Sequence, residues 1–368
     1  MSSFQVGKIN NFVYLQNPKS KIMFFRHLLF FIIPIYAFCQ QSKTYKVKCI
    51  AFYNVENLFD TLNDTLVFDD ERTPQGSYQW NNKRYERKID HISKVLSEIG
   101  SERTQSPPDI IGLCEIENRG VLVDLIEHPN LRAQEYGIVH FPSPDERGID
   151  VALLYKKHSF QPTSFVSHRL ILMDEFEKRN YTRDQLVVGG ILDDELFYFM
   201  VNHWPSRRGG EQKSRPNRIK AAQLNKRIID SIQNLDVHAK IISMGDFNDD
   251  PNNSSFKKVL KTKGKRRNLD SMDLFNPMEK LYKKGAGSLA YRDKWNLFDQ
   301  FFMTSNLTQK DQGYFLWQVG IYAPGYLRTS HGKYSGYPFR TYAGTTYQGG
   351  YSDHFPVYLY LIKENPKQ

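Results

Sequence analysis

Two segments of this chain run apolar and then change abruptly to acid, amide and imidazole. Ile241, Ile242 and Met244 lead into Gly245-Asp246-Phe247-Asn248, and Asp353-His354-Phe355-Pro356 precedes Val357, Leu359 and Leu361. Short apolar runs bounded by turn formers read as buried strands. A buried strand that ends in such groups sets them at the rim of a sheet, where a site can form. One junction of this kind is a plain strand-to-turn transition, because Gly, Asp and Asn are turn residues.

The pattern repeats. Asn54 and Glu56 follow a strand-like run at Val47–Tyr53, Glu115 and Glu117 follow Asp109–Leu113, and His203 follows Leu196–Asn202. Asp299 falls inside the run Leu297–Met303, an odd place for a charge without a partner. Five strand ends that each carry polar groups point to one shared site.

Further strands are expected at Gly137–Phe141, Asp150–Tyr155, Phe165–Leu172 and Leu186–Leu192. Helical spacing of apolar residues marks Lys83–Ile99 and Arg215–Ile232, with a short helix at Asn118–Glu127. Many strands with a few helices between them predict two packed sheets flanked by helices. Asn63–Asn82 and Thr304–Gly350 read as long surface loops. Of the 368 residues, 40% are hydrophobic and 14% aromatic, which is enough for a large core and excludes a disordered chain. No linker or repeat divides residues 45–368, which are expected to form one catalytic domain. The formal net charge of +10 is consistent with a polyanionic partner, as it is with a merely soluble surface.

Residues 1–44 read as an N-terminal segment. A basic start at Met23–His27, an apolar stretch at Leu28–Phe38 and a polar exit describe a signal peptide over about residues 23–41, with translation starting at Met23. A retained anchor is the alternative. Cys39 stands where a lipidated cysteine would, but bulky Phe38 precedes it. Cys49 and Cys114 lie in strand-like runs and read as buried thiols, and no cysteine spacing suits a metal.

Quoted in order, these motifs carry a resemblance. Phe52-Tyr53-Asn54-Val55-Glu56-Asn57-Leu58, Gly112-Leu113-Cys114-Glu115, Val201-Asn202-His203, Gly245-Asp246-Phe247-Asn248 and Ser352-Asp353-His354 resemble the successive motifs of the endonuclease/exonuclease/phosphatase superfamily. The resemblance spans about residues 46–362. It implies an α+β fold, a four-layer αββα sandwich of two packed mixed sheets flanked by helices. It also implies hydrolysis of phosphodiester bonds with Mg²⁺, or with Mn²⁺ or Ca²⁺ in its place. Glu115, Asn54 and Asp353 are then expected at the metal, with His354, Asp246, Asn248 and His203 catalytic. Asp299 would orient His354, although Phe298-Asp299-Gln300 departs from the usual arginine-x-aspartate-tyrosine. Arg207, Arg208 and Asn202 are expected to contact substrate. The proton acceptor from the attacking water is His354 or Asp246.

The chemistry calls for these residue types. An anionic phosphodiester must meet positive charge and hydrogen-bond donors. Mg²⁺ binds through one or two carboxylates and keeps several waters. Glu117 has two readings, a role behind the site or the start of the helix that follows, where a carboxylate is favoured. The stretch Ser206–Arg218 reads as a solvated loop or an anion grip. Lys261–Arg267 reads as a solvated run or a track for a nucleic-acid backbone. The leading expectation is a secreted or periplasmic nuclease, monomeric and without a stable protein partner. A sphingomyelinase-type lipid hydrolase is the alternative, against which no exposed apolar hairpin stands out. A non-catalytic binding protein would be expected to have lost one of Glu115, Asp246, Asn248 or His354.

Overall fold

The apolar runs become twelve strands in two six-stranded sheets. In chain order they are β1 Tyr45–Leu58, β2 Ile110–Ile116, β3 Tyr136–His140, β4 Asp150–Lys156, β5 Phe160–His168, β6 Gln185–Leu192, β7 Glu195–His203, β8 Lys240–Asp246, β9 Leu274–Phe275, β10 Asp299–Thr304, β11 Phe315–Ile321 and β12 Val357–Glu364. Among the described residues the three longest helices are α1 Asn82–Glu98, α2 Arg119–Glu127 and α3 Glu211–Leu235. This computed structural model describes residues 43–365. The segment read as a signal peptide, with Cys39, lies outside the described residues. No described helix is long and apolar enough to cross a membrane.

The sheet orders are β11-β12-β1-β2-β4-β3 and β9-β10-β8-β7-β6-β5. Each sheet holds one parallel pair near its centre, β1 with β2 and β7 with β8, and its other pairs are antiparallel. A parallel pair needs a crossover, and α1 and α3 lie in the two connections. Parallel neighbours end on the same side, so the C-terminal ends of β1 and β2 meet, as do those of β7 and β8.

Both central regions are buried on two faces, which explains their near-continuous apolar sequence. In β1, Ile50 and Phe52 face the other sheet; with Leu153 and Leu359 of their own sheet they join Phe199, Val201, Ile242, Met244 and Phe301 of the second. Ala51, Tyr53 and Val55 face α1 and α2, against Ile92, Val95, Leu96 and Leu122. On the second sheet, Met200 and Ile241 pack under α3 with Ala221, Ala222 and Ile229. Helices, sheet, sheet and helix therefore stack as the expected αββα sandwich. Gly112 on β2 marks where the sheets approach closely, since a Cβ there would lie 2.9 Å from Met244 Sδ.

Three expectations change. The strand expected at Phe165–Leu172 runs instead over Phe160–His168. It is an edge strand containing Pro162, largely exposed, so its apolar signal is weak. The stretch Thr304–Gly350 is not all loop, because β11 lies within it. That edge strand has a register shift between Leu316 and Gln318 that spoils its alternation. Asp299 opens β10 rather than lying inside it.

Candidate active site

Side chains on a strand alternate faces, so an inward position recurs every second residue. Phe52 is followed by Asn54, Val201 by His203 and Met244 by Asp246, and Asp299 precedes Phe301. In each pair the apolar member belongs to the core between the sheets. The four polar residues thus form one more rung of that core, at the end where both parallel pairs terminate. Asp246 and Asp299 are direct cross-strand partners.

The rung is closely connected. Asn54 Nδ2 donates to Asp246 Oδ2 at 3.1 Å and lies 3.4 Å from Glu115 Oε1. His203 Nε2 is 3.8 Å from Glu115 Oε1 and 3.7 Å from Asp246 Oδ2. His354 enters from the turn before β12. Its Nδ1 contacts Asp299 Oδ2 at 2.6 Å, and its Nε2 lies 3.9 Å from Asp246 Oδ2. Asn248 closes the group from below, its backbone N–H donating to Asp246 Oδ1 and its Nδ2 to the Trp204 carbonyl, each at 3.0 Å.

Glu115 reaches the rung by a distortion. Register shifts interrupt the β1–β2 pairing between Asn54 and Leu58 and the β2–β4 pairing between Cys114 and Ile116. Within them Glu56, Asn57 and Glu115 adopt φ of 51°, 57° and 63°. Asn248 has φ 50°. Left-handed non-glycine residues are costly and cluster at sites where a side chain must be re-aimed. The Asn57 N–H then donates to Glu115 Oε2 at 3.0 Å and fixes that carboxylate.

Burial dominates the electrostatics. It pushes the Asp246 carboxyl up to about 7, with His354 opposing and Asp299 adding to the rise. It holds His203 well below the usual imidazole range, an effect that Arg183 and Arg147 reinforce, so His203 is neutral. Burial also disfavours charge on His354, but Asp299 and Asp246 overcome it and hold that imidazole well above its usual range. Asp246, Asp299 and His354 bring ligand atoms within 4.8 Å of one another. The 2.6 Å contact already occupies His354 Nδ1 and one oxygen of Asp299. Glu115 and Asp246 by contrast converge with only a neutral amide and a neutral imidazole between them. That donor set suits a hard divalent cation, which would relieve the crowding of charge.

Asn54, Glu115, His203, Asp246, Asn248, Asp299 and His354 are brought together by the structure. Other expected residues are placed differently. Asn202 has the opposite parity to His203 and is fully buried under α3, with its amide held by Ser243, Met244 O and Asn225. It cannot contact substrate there. Arg207 is committed to the loop itself, donating to the Asn248 carbonyl at 2.9 Å and to Asp249 and Asn253 while lying over the Phe298 ring. Arg208 is exposed. Asp353 stands beside the rung with one oxygen accepting from Arg340 at 3.0 Å, and it is 4.0 Å from His354 Nε2. Glu117 accepts from the Asp60 N–H at 2.5 Å and anchors the loop that follows β1, while Asn118 caps α2. Lys261–Arg267 leads to β9, which pairs with Met303 and Thr304 at the end of β10 away from Asp299. That position removes it from the site.

Lys88 and Arg183 escaped the reading of the sequence, while Glu56 and Arg218 entered it only as a strand-end acid and as the end of a basic stretch. Buried Lys88 on α1 donates to Thr341 Oγ1 and to the Tyr351 carbonyl. Glu56 accepts from the Thr341 and Tyr342 N–H groups. Together they hold the long loop that carries Arg340. Fully buried Arg218 donates to Asp249 Oδ1 at 2.7 Å, and Arg183 donates to the Trp204 carbonyl at 2.7 Å. Helical spacing signalled a buried face for α1, but no local pattern marks which cation would lie in it.

The model of a family described as the endonuclease/exonuclease/phosphatase family matches residues 49–363. No curated protein matches the chain in sequence. The chain is similar to the solved structure of TDP2 from D. rerio complexed with single strand DNA product, at 16% identity and TM-score 0.50, covering 86% of this chain and 98% of that one. It is similar to an endonuclease/exonuclease/phosphatase from Bacteroides vulgatus, at 15% identity and TM-score 0.51, with 87% and 100% covered. It is also similar to a mannosyl-6-phosphatase from Bacteroides thetaiotaomicron, at 16% identity and TM-score 0.51, with 85% and 99% covered. At these identities the likeness is one of fold.

Proposed function

Because the chain belongs to the endonuclease/exonuclease/phosphatase family, whose members are hydrolytic phosphoesterases, we propose that it is a divalent-metal-dependent phosphodiesterase acting on nucleic acid. The observation that carries this reading is the polar rung itself. Neutral donors on Asn54 and His203 face a carboxylate pair, and an Asp299–His354 couple closes the opposite side. Glu115 and Asp246 would hold the cation, Mg²⁺ by preference for oxygen ligands. Bound there, it would supply Lewis-acid charge to a phosphate oxygen.

The chain's own groups do the rest. Asp299 fixes the ring of His354 through Nδ1, which leaves Nε2 as the atom that exchanges a proton with water. Asn248 and His203 lie where they can donate to phosphate oxygens; Asp246 holds the Asn248 backbone N–H, the Trp204 carbonyl holds its side-chain amide, and the parallel pairing of β7 with β8 fixes His203. The TDP2 structure in complex with a DNA product supports a nucleic-acid substrate by analogy.

A second reading has a specific observation behind it. Contrary to the expectation from sequence, apolar side chains do project at this end. Phe176 sits at the tip of the hairpin Leu172–Met173/Arg179–Asn180 and is 74% exposed, while Leu66 and Phe68 after β1 are 89% and 75% exposed. Such a rim suits a lipid surface. The deciding experiment is a panel of DNA, RNA, sphingomyelin vesicles and bis-p-nitrophenyl phosphate with Mg²⁺, Mn²⁺ or Ca²⁺. Cleavage of nucleic acid is expected. Activity on vesicles with none on DNA or RNA overturns the nuclease reading. Export through residues 23–41 belongs to the same proposal, and N-terminal sequencing of native protein tests it.

A further inference from the structure

Next to the polar rung lies a cleft of about 640 Å³. Three connections build it: the one between β3 and β4, the one between β5 and β6 with its hairpin, and the one that leads from β7 into α3. Arg147, Arg183, Arg208 and Lys213 line it, together with Thr182 and Tyr181. One wall is shared with the site. The Trp204 carbonyl accepts from Arg183 Nη2 at 2.7 Å and from Asn248 Nδ2 at 3.0 Å, so cleft and rung meet at a single peptide.

Two groups in the cleft lack partners. Arg183 is 5% exposed and its Nε has no hydrogen-bond partner, and Thr182 is 3% exposed with an equally unpartnered hydroxyl. Unmet donors at such depth are costly and call for an acceptor. The acids of the cleft do not supply it. Asp145 is engaged by Arg183 and Arg147, and Asp174 accepts from the Phe176 and Lys178 N–H groups of the hairpin. The remaining two, Glu146 and Glu175, are exposed. The first turn of α3, which provides Lys213, has no side-chain cap and adds the positive end of a 25-residue helix. Tyr181 presents a half-exposed ring, with the Arg179 guanidinium 5.3 Å from its centroid.

The geometry points to this cleft as the subsite for the nucleotide adjacent to the scissile phosphate, its phosphate met by Arg147, Arg183 and Lys213 and its base by Tyr181. The volume falls within the range of small-ligand sites, and an aromatic face beside cations is what a nucleotide offers surfaces to. The balanced charge of the cleft suits one phosphate and not a long polyanion. The inference rests on the nuclease reading and deepens it.

Thymidine 5′-p-nitrophenyl phosphate and its derivative carrying a 3′-phosphate test it, with the corresponding 3′-nitrophenyl, 5′-phosphate pair for the other polarity. In one polarity the added phosphate should raise kcat/KM by about 10-fold or more, the effect of a charged hydrogen bond. Arg147→Ala with Lys213→Ala should bring that ratio towards one, chiefly through KM. Tyr181→Ala should weaken both members of the pair equally relative to bis-p-nitrophenyl phosphate. A merely structural role would lower all three substrates together and overturn the assignment. So would a wild-type enzyme that cleaves the nitrophenyl esters but gains nothing from the added phosphate in either polarity. Wild-type protein that cleaves no diester with any of the three metals defeats the proposed function itself, and the subsite with it.

Discussion

Asp299 has one carboxylate oxygen on His354 at 2.6 Å and the other without a partner. Its side chain therefore acts on the imidazole alone. If His354 handles the proton in the chemical step, His354→Ala should lower kcat by about 100-fold or more. Asp299→Asn keeps a hydrogen-bonding group at that place and should cost less. Steady-state kinetics on bis-p-nitrophenyl phosphate measures both, with circular dichroism to show that the fold persists. Near-normal turnover in His354→Ala would remove it from the mechanism. Glu117 gives a separate test at this scale. Burial pushes its carboxyl up to about 8, with Asp60, Asp69 and Asp64 adding to the rise. An unfolded glutamate titrates near 4.3. Between those values the folded state binds more protons, so the stability linked to this group is full below about 4.3 and is lost as pH rises to about 8. Glu117→Gln should therefore melt above wild type at pH 8 and close to it at pH 4. Equal melting curves at both pH values would refute the shift. Legibility varies residue by residue. Asn54, His203 and Asp246 were readable because each ends an apolar run, and Asp299 because a charge interrupts one; the alternation that turns all four inward appears once the strands are paired. The same alternation turns Asn202, which the resemblance led us to expect at the substrate, away from the rung and under α3. Glu115 was readable as a strand-end acid, but its inward direction was not, since a left-handed backbone and not its parity brings it to the rung.

At the scale of elements, the site depends on how closely strands and loops are held. Gly245 precedes Asp246, and a Cβ there would lie 2.4 Å from the Asn202 carbonyl oxygen on the neighbouring strand. That oxygen is backbone and cannot rotate away. Gly245→Ala should therefore destabilise the fold by about 1–3 kcal/mol, the usual cost of overpacking, and lower activity by moving Asp246. Chemical denaturation with a parallel activity assay would show both, and unchanged stability would contradict the packing argument. The loop bearing Arg340 and Tyr351 is held from beneath by Lys88 and Glu56. Burial pushes the Lys88 ammonium down to about 8 and the Glu56 carboxyl up to about 7, so neither is held there cheaply. Lys88→Met removes the donors to Thr341 and Tyr351 and should cost about 1–3 kcal/mol for the acceptors left unmet. The loss should appear as faster amide exchange and proteolysis over residues 328–351. Protection equal to wild type would mean that the loop is held by its own packing. This clamp was not legible in sequence, because its partners are separated by more than 250 residues and nothing local marks them.

Across the whole molecule, the sandwich was legible because both central strand pairs are buried on two faces and read as continuous apolar runs. Edge strands β5 and β11, half-exposed and irregular, were misplaced or lost for the converse reason. What the sequence could not convey is that two parallel pairs, one in each sheet, end on the same side. That topology gathers carboxylates from β1–β2, β8 and β10 into one low-dielectric rung. Collecting acids this way opposes folding unless a cation relieves it, and this ties metal binding to stability as well as to turnover. A cation that binds only the folded state stabilises it by RT ln(1 + [L]/Kd), about 2.7 kcal/mol at a hundredfold excess over Kd. Chelator should abolish hydrolysis of every substrate and lower the melting temperature, and Mg²⁺ or Mn²⁺ should restore both. Glu115→Gln should lose the metal-induced rise in melting temperature together with activity, because it removes a ligand charge without creating a void. His354→Ala should lose activity but keep the rise, because its imidazole is bound to Asp299 and not needed to hold the ion. A melting temperature indifferent to metal in the wild type, or full turnover in excess chelator, would show that Glu115 and Asp246 converge for another reason. A rise abolished in His354→Ala but kept in Glu115→Gln would move the ion to the Asp246, Asp299 and His354 cluster.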